Sequence, residues 1–210
     1  MLIDHVGVAL LPQFEILRVI GRLSFPIFAY MIAEGCQYTK NRVRYFGTLA
    51  GFAIVCQTAN YIATGSLYQC ILITFSISVA LIFSIDRYLK KQTYASLILA
   101  LILGIAAIFV TVCLPVLLKK YGFEVDYGVF GMLLPVAVYF SKGKPQKLIS
   151  CAILLSALAL MLGTRQWLGL LSLPLLLLYN GERGKLNLKY MFYIFYPSHL
   201  AAIYLIQSII

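Results

Sequence analysis

The chain has 210 residues, of which 62% are apolar and only 11% charged, and its mean hydropathy is +0.92. Average soluble domains carry about 25% charged residues, so a soluble globular domain, a disordered tail and a fibrous repeat are all excluded. The net charge of +10 does not point to nucleic acid, because the basic residues fall between apolar runs, where membrane topology accounts for them.

In chain order the apolar segments lie near 1–11, 16–38, 45–63, 68–88, 94–118, 127–140, 147–162, 166–179 and 190–209. They predict an all-α fold, a polytopic transmembrane helical bundle of about eight to nine membrane segments, each needing about 20 residues to cross. The bundle forms a single domain over residues 1–210. Segments six to eight are short, which predicts thin or tilted spans. The first segment cannot cross ~30 Å of hydrocarbon at about 1.5 Å per residue. It lacks the basic flank and cleavage site of a signal peptide. It reads as half a helix, with the other half expected upstream.

The loops set the orientation. Lys40, Arg42 and Arg44 follow segment two, and Arg87, Lys90 and Lys91 follow segment four. Lys142, Lys144 and Lys147 follow segment six, and Arg183, Lys185 and Lys189 follow segment eight. Twelve of the 17 basic residues thus share one side, which the positive-inside rule places in the cytoplasm. The five cysteines are scattered with no CxxC pair, so they read as packing residues and no metal site is expected.

Ionisable groups at membrane depth are costly and face a partner or a cavity. Asp4 and His5 lie in the first segment, and Arg22 lies at similar depth in the second. Glu34 lies near the inner end of the second segment, where a salt bridge to Arg42 or another inner-loop base is the structural alternative to function. His199 lies roughly 14 Å up the last segment at about 1.5 Å per residue, a depth comparable to that of His5. A neutral imidazole there can act as a general base. Neighbouring helical residues point about 100° apart, so Asp4 is expected to hold Arg22 rather than touch His5. A plain Asp4–Arg22 ion pair beside a hydrogen-bonded core histidine is the structural alternative.

Tyr190, Tyr193, Tyr196, His199 and Gln207 form a polar stripe on the last helix, which must look inward or at water. Pro197 sits inside that stripe, and Pro26 predicts a kink between Arg22 and Glu34. Gln57 and Asn60, spaced i, i+3 near the outer end of segment three, read as interhelical glue or as acceptor contacts.

These same stretches carry a resemblance. MLIDHVGVALLPQ, LRVIGRLSFPIFAYMIAEGCQYTKNRVRY, IVCQTANY, VDYGVFGMLLPVAVYF and KYMFYIFYPSHLAAIYLI together resemble the TraX family of membrane N-acetyltransferases associated with conjugative pilin acetylation. The specific features are the N-terminal Asp-His, the Gly-Arg-Leu-x-Phe-Pro-x-Phe-Ala run and the C-terminal Tyr-Pro-x-His-Leu; the Asp-Tyr-Gly is weak by itself. The family sits with the wider superfamily of polytopic acyltransferases that includes the heparan-glucosaminide N-acetyltransferases. The resemblance implies acetyl-CoA as donor, a multi-pass place in the bacterial inner membrane, and a pilin or another small membrane protein as partner. Carried over by motif, it implies His5 with Asp4, Arg22, Glu34, Asp126 and His199 as the functional set.

On that footing Arg42, Arg44, Arg87 and Lys91 are the expected partners of the donor's phosphates, with Glu34 at the same inner end. His5 is the expected base, and Arg22 or a tyrosine of the last helix is expected to steady the oxyanion. Tyr193, Tyr196, Gln57, Asn60 and Asp126 are the expected acceptor-side residues. A small transporter and a non-catalytic membrane assembly factor are the alternatives.

Overall fold

A computed structural model describes residues 1–182 and 189–209, with the side chains of 189–193 and 208–209 outside the description. The chain is an all-α membrane bundle. Its helices are α1 (Leu2–Ala9), α2 (Glu15–Arg22), α3 (Ser24–Tyr38), α4 (Arg42–Thr64), α5 (Ile71–Lys91), α6 (Tyr94–Ile108), α7 (Leu114–Leu117), α8 (Gly128–Phe140), α9 (Gly143–Leu162), α10 (Ser172–Leu178) and α11 (Lys189–Ile209). A π-helical turn over Phe109–Cys113 joins α6 to α7, and a 3₁₀ stretch over Thr164–Leu171 leads into α10.

Five described stretches are long and apolar enough to cross a membrane: Glu15–Tyr38, Arg42–Thr64, Ile71–Lys91, Tyr94–Leu117 and Gly143–Leu162. Gly128–Phe140 and Thr164–Leu178 are shorter apolar helices, as the sequence predicts for segments six and eight. Segment seven is longer than expected, because α9 recruits Gly143 to Gln146 into its first turn.

The core runs along α3, α5, α8 and α9, where Phe25, Ala29, Tyr30, Phe75, Val79, Leu134, Val138 and Leu155 are buried. Small residues on one face of α3 (Ala29, Ala33 and Cys36) let neighbours come close. The π-turned helix Tyr94–Leu117 is the most apolar element, with a mean hydropathy of 3.1, and it is mostly exposed, as a lipid-facing helix must be.

The α2–α3 junction positions the site. The helix breaks at Leu23, three residues ahead of Pro26, rather than bending at the proline itself. Pro26 has no N–H for the Arg22 carbonyl one turn back, and the Ser24 hydroxyl donates instead to the Gly21 carbonyl at 2.7 Å. Against this junction lies α1. A Cβ on Gly7 would come within 2.9 Å of the Leu17 Cβ, and one on Gly21 would overlap the Asp4 side chain. Two glycines thus let a half-length helix lie flat on α2, and the second is vacant space filled by a carboxylate.

Candidate active site

Residues of α1, of the first turns of α3 and α5, of the approach to α8 and of the body of α11 line a small cavity of about 50 Å³. Asp4, His5, Asp126, Tyr127 and Tyr196 supply its polar lining, and Phe25, Ile71 and Phe75 its apolar wall. That volume admits a few water-sized groups, so an acetyl or amino group fits it.

His5 and His199 meet here, although 194 residues separate them in sequence. The His199 Nδ1 lies 2.7 Å from the Phe195 carbonyl, and its Nε2 lies 3.2 Å from the His5 Nδ1. A carbonyl only accepts, so the His199 proton sits on Nδ1 and its Nε2 offers a lone pair. The His5 Nδ1 must then donate, so of the two unprotonated Nε2 atoms that of His199 is engaged within the pair and that of His5 is left with its lone pair outside it. The tautomer of a cavity-lining imidazole is therefore fixed through its neighbour by a backbone carbonyl. Tyr196 packs edge-on against His199, with ring centroids 5.4 Å apart at 84°, and holds the second imidazole in place.

The expected Asp4–Arg22 ion pair is absent. The Arg22 Nη1 donates instead to the Tyr127 hydroxyl at 3.2 Å, while Asp4 Oδ1 and Arg22 Nε are buried without hydrogen-bond partners. The reason is steric. Asp4 sits on Gly21, one residue before Arg22, and the longer arginine extends past it to a residue 105 positions away. Asp4 and His5 both line the cavity, and no hydrogen bond joins them among the described contacts, so Asp4 holds neither Arg22 nor His5.

Asp126 reaches the cavity from the outer connection between α7 and α8. Its Oδ1 accepts from the Tyr68 hydroxyl at 2.7 Å, its carbonyl accepts from Thr74 at 2.9 Å, and its backbone N–H donates to the Gln69 carbonyl at 3.2 Å. Burial pushes the Asp126 carboxyl up to about 6, against the downward pull of the Tyr68 hydrogen bond and the Arg22 charge.

Several expected site residues lie elsewhere. Glu34 is buried in an ion pair with Lys147 at 2.5 Å, and Lys147 also donates to Gln37 at 3.0 Å. Its partner is an inner-loop base, as the structural alternative anticipates, but not Arg42. Arg42 pairs with Asp86 at 2.6 Å, a carboxylate shared with Lys90 at 3.0 Å. Arg44, Arg87 and Lys91 are exposed at the inner end, and none has a carboxylate in ion-pair range among the described residues.

Gln57 stitches the outer hairpin, donating to the Tyr68 carbonyl at 3.0 Å and accepting from the Cys70 N–H at 2.8 Å. Asn60 accepts from Tyr204 at 2.9 Å, and Gln207 donates to the Ala9 carbonyl at 3.0 Å. Both therefore tether α11 rather than face the cavity. Tyr190 and Tyr193 lie outside the described side chains. Among the described residues no group of histidines, cysteines and carboxylates is placed to hold a metal ion.

Residues 1–207 match the family described as TraX protein. The chain belongs to the TraX family. It is also 26% identical over 239 aligned residues to a Dichelobacter nodosus protein named "Probable fimbrial assembly protein FimC, serogroup H1". That alignment takes in 96% of this TraX-family chain and 88% of the relative. No solved structure matches the chain.

Proposed function

We propose that this TraX-family protein is a membrane-embedded acetyltransferase of the bacterial inner membrane that acts in pilus assembly. It moves an acetyl group from cytoplasmic acetyl-CoA to an acceptor at the outer face, either an amine such as a pilin N-terminus carries or a hydroxyl. The observation that carries this reading is the hydrogen-bond chain from the Phe195 carbonyl through His199 to His5, which ends on a lone pair of a residue lining a cavity of acetyl size. A base oriented by a second group is what deprotonation of an attacking nucleophile requires. The D. nodosus relative, named for fimbrial assembly, supports the link to pili.

The donor's phosphates need cations on the cytoplasmic side. Arg44, Arg87 and Lys91 fit that need, being exposed at the inner end with no carboxylate partner among the described residues. Arg42 fits it less well, because Asp86 already holds its guanidinium at 2.6 Å. When bound, the donor supplies a thioester carbon open to attack, and the chain supplies the base, the orienting imidazole and a dry wall of Phe25 and Phe75.

The test is mass spectrometry of envelope proteins from cells with and without the protein, and with His5→Ala in its place. The expected result is an acetylated species, a pilin first among the candidates, that disappears in both altered strains. A non-catalytic assembly factor predicts the same envelope masses throughout and pili that still assemble with His5→Ala.

A further inference from the structure

The cavity holds one group to which the sequence assigns no role, the tyrosine of the weak Asp-Tyr-Gly motif. Tyr127 follows Asp126 and precedes Gly128 at the start of α8, and its backbone is left-handed at φ +59. A non-glycine residue in that region is costly and recurs at functional sites. The ring is fixed. It stacks on Phe25 with centroids 3.8 Å apart and an interplanar angle of 8°, and a Cβ on Gly131 would overlap its own Cβ. The hydroxyl oxygen accepts from the Arg22 guanidinium at 3.2 Å. The phenol proton has no acceptor among the described hydrogen bonds, and Tyr127 lines the cavity with His5 while Arg22 does not. Arg22 therefore stands behind Tyr127, drawing electron density from its oxygen and making its proton a stronger donor.

We infer that the Tyr127 hydroxyl, backed by Arg22, is the donor that holds the acetyl carbonyl oxygen as it becomes an oxyanion. The inference rests on the acetyltransferase reading above and adds a catalytic residue to it. Three residues with hydrogen-bonding capacity to spare line one cavity: Tyr127, whose O–H proton has no acceptor among the described hydrogen bonds, Asp4, whose Oδ1 is buried without a partner, and His5, with the lone pair on its Nε2. A tetrahedral adduct of an amine and a thioester presents their complement, one oxyanion and N–H groups.

The step balances as follows. The acceptor nitrogen or oxygen attacks the thioester carbon, the new N–C or O–C bond forms, and the carbonyl electron pair moves onto oxygen, where the Tyr127 O–H donates to it. The His5 Nε2 takes the proton from the attacking atom. The oxyanion then collapses, the C–S bond breaks, and the departing thiolate takes the proton from His5. No oxidant, metal or covalent enzyme intermediate is needed.

The experiment uses the full-length protein in membranes with acetyl-CoA and the acceptor identified by the mass spectrometry above. Tyr127→Phe keeps the Phe25 stack and loses only the hydroxyl. The expected result is a fall in kcat of about 10²-fold, the scale for removing one oxyanion donor, with KM for acetyl-CoA within about threefold of the parent, since ground-state donor binding is left intact. Replacing Tyr127 with fluorotyrosines, which keep the shape and hydroxyl but increase its acidity, is expected to change kcat steadily with ring acidity. A merely structural tyrosine would show no such trend. If His5→Ala abolishes transfer while Tyr127→Phe keeps more than a third of the parental kcat, the inference is overturned and the acetyltransferase reading stands. If Tyr127→Phe fails to fold, a flat response to fluorination overturns it instead. If the parent transfers no acetyl group at all, both fall together.

Discussion

The two ends of the bundle handle buried polarity in opposite ways. At the inner end, Glu34 and Lys147 form a buried pair at 2.5 Å, and Asp86 is shared by Arg42 and Lys90. Toward the outer end, Asp4 Oδ1, Arg18 Nε and Arg22 Nε are buried without hydrogen-bond partners and the Tyr127 proton has no acceptor among the described residues, whereas the one such atom at the inner end, Asp86 Oδ2, lies within ion-pair distance of two cations. Leaving a buried polar group unsatisfied costs about 1–3 kcal/mol, so a fold that does it repeatedly in one place is holding groups ready for something else. Charge at membrane depth is therefore an ambiguous signal of function, and its satisfaction is the better guide.

The sharpest way to break this contrast is to unpair the inner end. Lys147→Met leaves the Glu34 carboxylate buried without a cation, which is expected to cost about 3–5 kcal/mol. It should appear as a large loss of folded protein in detergent and a lower melting temperature. The double variant Glu34→Leu with Lys147→Met removes both charges and should regain most of that loss. A double variant that folds normally and yet transfers nothing would move the pair into the chemistry and dissolve the contrast.

At the outer end the same kind of deletion should cost function and little stability. His5→Ala is expected to lower acetyl transfer by about 10²-fold or more, the usual scale for a general base, with a melting temperature near the parental one. His199→Ala should cost less, because it removes the group that orients the base and not the base itself. Transfer above a third of the parental rate in His5→Ala would remove the base from His5. A dead His199→Ala beside an active His5→Ala would reverse the direction of the relay.

Much of the bundle could be read from the sequence because hydropathy and loop charge report directly on the membrane. The nine apolar segments and the inner clusters of basic residues are local signals, and the described helices fall on them. The meeting of His5 and His199 was legible as a coincidence of depth, since 1.5 Å per residue converts sequence position into height. Lateral neighbours were not legible. Whether Arg22 faces Asp4 or Tyr127 depends on how α8 enters the bundle, and that is set by a left-handed residue in an outer connection. Glu34 posed the same difficulty, with several inner-loop bases in reach and only packing to choose Lys147 among them. Tyr127 carried one weak sign, a glycine directly after it at the foot of an apolar run.

A smaller effect tests the outer mouth. Burial raises the Asp126 carboxyl to about 6, above the ordinary aspartate value of about 3.9. Between those two values the unfolded chain has released this proton while the folded chain keeps it, so stability falls as pH rises through that window. Asp126→Asn keeps an oxygen to accept from Tyr68 and has no proton to lose. Melting curves of the parent between pH 4 and about 7 should decline relative to those of the variant. Parallel curves would show that Asp126 stays in ordinary contact with solvent.

The smallest expected effect separates the inner cations from one another. Arg42 and Arg87 lie at the same end of the bundle and look alike in sequence, but Arg42 is bound to Asp86 and stacked over the Phe83 ring at 5.1 Å, whereas Arg87 is exposed. An exposed arginine that contacts a non-reacting phosphate contributes to binding in the ground state and the transition state equally. Its loss raises KM and spares kcat. Arg87→Ala is therefore expected to raise the KM for acetyl-CoA by a few-fold, an effect that shrinks as salt screens the contact. Arg42→Ala should act mainly on stability, because it strips one of two cations from a buried aspartate, and its KM should move less than that of Arg87→Ala. The reverse pattern, with Arg42 governing KM in a salt-dependent way, would mean that the Asp86 pair opens to receive the donor, and the inner end would then belong to the functional half of the molecule.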